Sequence, residues 1–355
     1  MRIGIYDPYL DDLGGGEKYM LTIASCLSKQ HDVRIFWNEQ KDFDQLVQRF
    51  PVDINKISLA RNIFSPDVSS LQRINITRQY DVLIVLSDGS IPFVLSKKLY
   101  LHIQQPLPRI ATGWKNKLKL SRVSGIWYNS AFTKSMNEQF FSKIHSSILY
   151  PPVAVHEKNV QKENIVLHVG RFRLQHGGSD DYKKQRLMIN TFKQMIDDGI
   201  KGWKFLLAVS VKEKDMQAFT ELEMLAKGYP ITFSLNKSNT QLWELYNKAK
   251  IYWHASGFGE DLDLYPEYAE HFGISTVEAM GVGVVPVVFN AGGQKEIVTD
   301  GKNGFLWDTL EDFQKKTKQV MEDKTLWKKL SEQAKLRAED FSTEAFCEAL
   351  YRLLE

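Results

Sequence analysis

Cysteine is scarce in this chain: two residues, Cys26 and Cys347, near opposite ends of 355 positions. That count excludes a disulfide framework and points to a reducing compartment, the cytoplasm. Long apolar runs are missing too. None approaches the roughly 20 residues that span a bilayer, so work at a membrane is expected only from its surface, such as the inner face of the plasma membrane. The N-terminus MRIGIYDPYL has one early cation and two aspartates by position 11, not the charged start and longer apolar stretch of a signal peptide. Charge of one sign is also absent. A formal net charge of +3 is too small to imply a nucleic-acid binder, though it leaves room for a local basic patch. No internal repeat stands out.

What is present is a rhythm. A chain of 355 residues exceeds what one core organises, and 43% hydrophobic with 25% charged residues is ordinary for a globular protein, so two domains are expected. Short apolar runs alternate with helical patterns, the signature of an α/β protein with parallel sheets covered by helices on both faces. In the first half RIGIY (2–6), VRIFW (33–37), VLIVL (82–86) and IWYNS (126–130) predict buried strands. A helix over 17–29 carries Met20, Ile23, Ala24 and Leu27 at the spacing that lays one face on a sheet. At YPPV (150–153) two prolines deny the chain helix or central-strand continuation, and the polar HEKNVQKEN follows. Beyond it IVLHV (165–169), KFLLAV (204–209), ITFSL (231–235), IYWHA (251–255) and VVPVVF (284–289) restart the alternation. The expected domains are 1–150 and 151–355, both doubly wound and Rossmann-like, facing each other across a cleft. The last helix, TEAFCEALYRLLE, could pack on either. Ligands in open parallel sheets bind at the carboxyl ends of the strands, so chemistry belongs on the strand-to-helix loops.

Three such loops carry suggestive residues. Gly14, Gly15 and Gly16 precede the first helix, where backbone can approach a ligand closely and helix amides can meet an anion. The loop does not fit G-x-G-x-x-G, because Tyr19 stands where the third glycine belongs, and this disfavours a nicotinamide dehydrogenase. In HVGRFRLQHGGSDDYKKQRLMINTF (168–192), Arg171 follows a strand, and Lys183 with Lys184 begins a helix whose Leu187, Met188 and Phe192 face inward. An arginine and a lysine converging from a strand end and a helix start suit a diphosphate; solvated loop cations are the plainer reading. In EHFGISTVE (270–278), Ser275-Thr276-Val277-Glu278 has the form of a capping box, which would make Glu278 a helix cap. Glu270 stands apart, on a loop ahead of the helix N-terminus and its free amides.

These residues together resemble a family. EHFGISTVEAMGVGVVPVV followed by NAGGQKEIV, with GGGEKY, YNSAFTK (128–134), YPPV and HVGRF…KKQ in order through both domains, is similar to the retaining nucleotide-sugar glycosyltransferases of family four, which have the GT-B fold and an E-x7-E motif. The resemblance implies that Arg171 and Lys183, with Lys184 beside it, hold the donor diphosphate. It implies that Glu270 holds the donor sugar's hydroxyls, helped by backbone amides of Phe272, Gly273, Ile274 and Ser275, and that Glu278 holds the nucleotide ribose. Gly15 and Gly16 would line the first-domain side of the reaction centre. The family usually has a histidine near the sugar, in an H-x-P sequence after a first-domain strand. Here YLHIQQPLPR puts Gln104 in that place and His102 two residues earlier, so both are candidates; His102 is equally readable as a core histidine.

The implied activity is retaining transfer of a hexosyl group from a nucleotide-diphosphate sugar to a glycan or lipid-linked saccharide, in cell-surface polysaccharide or glycoconjugate synthesis. GDP-mannose is the first expectation from EHFG, with a UDP-hexose as the alternative. The expected enzyme needs no cofactor and no metal, because Arg171, Lys183 and helix amides can neutralise the leaving diphosphate. Asp261-Leu262-Asp263 has the letters of a metal motif but lies in a polar insertion. A non-catalytic sugar-nucleotide-binding subunit and a nucleotide-sugar epimerase are the competing classes. Finally, RIATGWKNKLKLSR (109–122) holds Arg109, Lys115, Lys117, Lys119 and Arg122 with no acid, and Ile110, Trp114 and Leu118 at four-residue spacing. It could lie on an anionic membrane, or be a solvated basic helix.

Overall fold

The computed structural model describes residues 1–12, 14–50, 52–110, 113–174 and 181–355. These fall into two compact units: Met1–Pro152 with Thr343–Glu355, and Val153–Ser342.

Among the described residues the first unit holds a parallel sheet of β1 (Arg2–Tyr6), β2 (Asp32–Phe36), β3 (Ile57–Ala60), β4 (Val82–Leu86), β5 (Lys98–Ile103), β6 (Gly125–Tyr128) and β7 (Ser146–Ile148). Their order across the sheet is β3-β2-β1-β4-β5-β6-β7. Both faces are covered, so the central strand VLIVL is buried at every residue rather than alternating. Tyr19, Met20, Ile23, Ala24 and Leu27 of the helix Gly15–Ser28 cover one face, joined there by Phe346, Leu350 and Leu354 of the last helix. The first strands fall where the apolar runs predict them. IWYNS ends early, because Ser130 leaves the sheet to accept the Thr133 amide at 2.9 Å and cap the helix Ala131–Asn137.

The last helix, Thr343–Leu354, belongs to this first unit. Tyr351 donates to the Cys26 carbonyl at 2.5 Å, and Lys98 donates to the Leu354 carbonyl at 3.0 Å. The return also corrects the expectation drawn from cysteine count. Cys26 and Cys347, 321 residues apart, form a disulfide between the first and last helices. Sequence distance conceals the pairing because the second unit is inserted between the two partners.

The second unit repeats the architecture with β8 (Ile165–Phe172), β9 (Lys204–Val211), β10 (Ile231–Leu235), β11 (Ile251–His254), β12 (Val285–Phe289) and β13 (Phe305–Trp307), all parallel, in the order β10-β9-β8-β11-β12-β13. Its core clusters Phe192, Phe205, Trp253, Trp307 and Phe313 between the sheet and its helices. Strand order reverses between β8 and β11. A crevice at their carboxyl ends is where this topology receives a ligand.

Candidate functional site

The crevice beyond β8 and β11 is built around Glu270. After β11 the chain makes an irregular excursion and returns through residues 269–273 to the helix Ile274–Gly281. The returning backbone lies directly on the glycines of NAGGQ. A Cβ at Gly292 would stand 2.2 Å from the Glu270 carbonyl oxygen, and one at Gly293 would stand 2.3 Å from Phe272 Cα. The Gly293 amide donates to that Glu270 carbonyl at 2.8 Å, so the paired glycines fix where Glu270 stands. The helix begins at Gly273, whose φ of 121° only glycine adopts without strain.

One carboxylate oxygen of Glu270, Oε2, accepts from Lys183 Nζ at 2.7 Å and from His254 Nε2 at 2.7 Å. Burial alone would raise the Glu270 pKa, but the Lys183 charge and the hydrogen bonds outweigh it and hold the group well below the usual carboxylate range. Glu270 is therefore ionised and accepts only, so the His254 nitrogen facing it carries the proton. Burial pulls the His254 pKa below its ordinary value against the attraction of Glu270, leaving a neutral imidazole at neutral pH. Behind it lies a second buried histidine, His168, its ring centroid 6.5 Å from that of His254. Its Nδ1 donates to the Trp253 carbonyl at 3.0 Å, and its Nε2 lies 3.3 Å from the Gln185 amide. Burial pushes its pKa down to about 3.

Lys183 is thus brought to Glu270. It also flanks the end of β8: its Cγ lies 3.6 Å from where a Gly170 Cβ would be, next in the chain to the exposed Arg171. The two lysines precede the helix Gln185–Asp197 rather than begin it. Lys184 is its N-cap residue with φ 57°, buried and ion-paired to Glu260, and Asp181 accepts the Gln185 and Arg186 amides at 2.6 and 2.9 Å. Residues 175–180 of the glycine-containing excursion lie outside the described residues. Asp261 of the D-x-D letters accepts the Asp263 and Leu264 amides at 3.2 and 3.1 Å, a local turn.

The capping-box reading of Glu278 is corrected. The helix starts one residue before Ser275, so neither residue is at a cap position. Ser275 Oγ instead lies 2.7 Å from the Tyr252 hydroxyl, and Glu278 Oε2 accepts from the Tyr246 hydroxyl at 3.0 Å. The Phe272 ring is buried against Phe341, and the whole residue is only 2% exposed.

In the first unit the glycines lead straight into the helix Gly15–Ser28, and Glu17 accepts the Gly14 amide at 2.5 Å. Gln104 stands on this loop: its Oε1 lies 2.6 Å from where a Gly16 Cβ would be, and its Nε2 donates to the Gly16 carbonyl at 3.4 Å. His102 lies deeper. Its ring stacks on Tyr19 at 4.1 Å, its Nδ1 donates to the Trp127 carbonyl at 3.0 Å, and burial pushes its pKa down to about 3. Asp7, just past β1, is a buried carboxyl that sequence reasoning missed. One oxygen accepts the Tyr9 amide at 2.9 Å; burial, then Glu17, Asp11 and Asp12, push its pKa up to about 7. His254 and His168 were missed as well. Their signal was a histidine at the fourth position of each of two strands that flank the reversal of strand order.

The basic helix Trp114–Leu120 buries no side chain, leaving Trp114 72% and Leu118 51% exposed beside Lys115, Lys117 and Lys119. Ala111 and Thr112 of the same stretch lie outside the described residues. Among those described, no helix is long and apolar enough to cross a membrane.

Two units, each built on a parallel sheet with helices on both faces, have the architecture of the GT-B glycosyltransferases. The Glycosyl transferases group 1 family matches residues 154–337, over half of the chain, and the chain belongs to that family. It is 25% identical over 272 residues to the GDP-Man:Man(3)GlcNAc(2)-PP-Dol alpha-1,2-mannosyltransferase of Dictyostelium discoideum, covering 71% of this chain and 49% of that protein. It is 28% identical over 252 residues to the alpha-1,3/1,6-mannosyltransferase ALG2 of the same organism, covering 64% of this chain and 60% of that one. The chain therefore spans about half to three-fifths of the length of these curated relatives. Among solved structures, Anabaena Alr3699/HepE in complex with UDP matches with a TM-score of 0.72 at 17% identity, over 100% of this chain and 99% of that one. Sucrose-phosphate synthase from Thermosynechococcus elongatus matches at 0.70 and 14% identity, with the same coverage.

Proposed function

We infer that the protein is a retaining, metal-independent glycosyltransferase that moves a mannosyl group from GDP-mannose to a glycan or lipid-linked saccharide. The observation that carries this reading is the anionic Glu270 held between Lys183 and His254 at the switch point of the second unit. The relative named GDP-Man:Man(3)GlcNAc(2)-PP-Dol alpha-1,2-mannosyltransferase supports GDP-mannose as donor and a lipid-linked saccharide as acceptor, and the one named alpha-1,3/1,6-mannosyltransferase supports mannose as the sugar.

The roles follow from the chemistry. Glu270 accepts hydrogen bonds from sugar hydroxyls and favours the positive charge that develops on the ring as the diphosphate leaves. Lys183 exchanges part of its hold on Glu270 for the diphosphate, and Arg171 binds the same group bidentately. The backbone amides of Phe272 to Ser275, at the N-terminus of Ile274–Gly281, add donors for the departing charge. With these cations and amides in place the diphosphate leaves without a metal, and no cofactor takes part. Glu278 takes the ribose hydroxyls, steadied by Tyr246. Lys184, held by Glu260, sets the entry of its helix. In the first unit Gln104 lies against Gly16, beside Gly15, and His102 is buried in that unit against Tyr19.

The helix Trp114–Leu120, with its lysines and bare Trp114 and Leu118, fits an anionic membrane surface carrying a lipid-linked acceptor. The protein would then work peripherally, at a membrane surface.

The test is a thermal-shift series with GDP, UDP, GDP-mannose and UDP-glucose, followed by turnover assays on whichever sugar nucleotide binds. A ligand at a hundred times its dissociation constant stabilises by about 2.7 kcal/mol. Binding of GDP-mannose with its slow hydrolysis, or its transfer to a saccharide, supports the reading; a preference for UDP-glucose moves the donor to the alternative. Binding without any turnover would assign the fold to a non-catalytic subunit.

A further inference from the structure

We propose that His254 is a positioning residue that holds Glu270 in one orientation, with Oε2 turned inward and Oε1 presented to the donor sugar. The proposal rests on the reading of Glu270 given above and adds to it the device that keeps this carboxylate aimed.

Among the described residues, both donors to the Glu270 carboxylate meet the same oxygen. Oε2 takes Lys183 Nζ and His254 Nε2, each at 2.7 Å, while Oε1 accepts from none of the described residues. The Glu270 side chain is 20% exposed and that of His254 only 1%, so the histidine approaches from the protein interior and leaves the crevice side open. Of the two donors, Lys183 is the one a diphosphate competes for. When it turns to the phosphate, His254 is the donor that remains, and a carboxylate with no other tether would be free to rotate.

The surroundings of His254 suit this task. It ends β11 in register with Val288 of β12, a rigid position. The charged and titratable groups that face it are Glu270, Lys183 and His168, and burial keeps it neutral among them. A neutral donor orients Glu270 without cancelling its charge, so the carboxylate still stabilises a cationic ring. The Ser256 hydroxyl lies 3.3 Å from the same Nε2 and steadies the ring.

The experiment compares His254→Leu, His254→Gln, Glu270→Gln and the double variant His254→Leu/Glu270→Gln in the full chain. It uses whichever of GDP-mannose and UDP-glucose the parent turns over, and the matching GDP or UDP for binding. Leucine fills the space and removes the donor; glutamine restores an N–H near the position of Nε2. His254→Leu should lower kcat on the order of 10²-fold, as expected for Glu270→Gln, and leave nucleoside diphosphate affinity within about threefold of the parent. His254→Gln should recover most of the lost rate, and the double variant should be no slower than Glu270→Gln alone. The parent's kcat should show no His254 titration above about pH 7, since burial holds its pKa below the ordinary value. If Glu270→Gln is slow while His254→Leu is as fast as the parent, the proposal fails and the reading of Glu270 stands. If Glu270→Gln is itself unimpaired, the donor reading fails and the proposal with it. A folded His254→Gln that is as slow as His254→Leu would also overturn it, because the donor would then not be what matters.

Discussion

At the scale of single residues, the second unit's cations differ in what they do for the fold. Arg171 is exposed at the end of β8, whereas Lys183 is 18% exposed and paired with a Glu270 that is 20% exposed. Removing Lys183 leaves a partly buried carboxylate held by His254 alone. Lys183→Ala should therefore cost on the order of 1–3 kcal/mol of stability, while Arg171→Ala should leave the melting temperature nearly unchanged. Both should weaken nucleoside diphosphate binding by calorimetry; unchanged affinity in both would place the phosphate site elsewhere. Asp7 makes a prediction in pH. Its folded pKa of about 7 lies above the ordinary value of 3.8, so the folded state binds the proton more tightly. Stability tied to that proton is present at low pH and lost as pH rises through about 7. Asp7→Asn, neutral at every pH, should melt higher than the parent at pH 8 by a few degrees more than at pH 5. An equal gap at both would mean that Asp7 ionises freely in the fold.

At the scale of elements, the helix Trp114–Leu120 is the clearest surface feature. It fully buries no side chain, with Leu120 only partly covered against the core, carries three lysines and leaves Trp114 and Leu118 bare. Co-sedimentation with anionic vesicles at low salt should be strong and should fall with salt and in Trp114→Ala/Leu118→Ala. Equal recovery on neutral vesicles would remove the membrane reading. Most of the long buried strands, β5 excepted, and the GGGEKY and EHFG loops are legible in sequence because each is a local pattern: an unbroken apolar run, or glycines beside a helix start. Strands β3, β7 and β13 are not, being three or four residues long and mostly only half buried, with no period to read. The helix after EHFG is legible, but the sequence pattern starts it two residues late, since Ser-x-x-Glu mimics a capping box with Ser275 as N-cap while Gly273 is the actual N-cap.

At the scale of the whole molecule, what the sequence concealed are the long-range joins. Glu270 and His254 meet across a 16-residue excursion, and Cys26 meets Cys347 across 321 residues. Spacing carries no signal for either, because both partners are set by the sheet topology and the return of the last helix. The disulfide ties that helix to the first, so its loss should loosen the first unit. Reduction, or Cys347→Ser, should lower stability by about 2–5 kcal/mol, and the untreated denatured chain should show no titratable thiol. Two thiols per denatured chain would show that the pair is reduced in solution. The central claim is that the second unit uses Glu270 to transfer a sugar. It is tested most directly by the rate at which the parent and Glu270→Gln release nucleoside diphosphate from the preferred sugar nucleotide in the presence of acceptor. The account predicts a fall in kcat of about 10²–10³ with nucleoside diphosphate binding preserved; a variant that turns over within about threefold of the parent, well under one kcal/mol in barrier height, would contradict it.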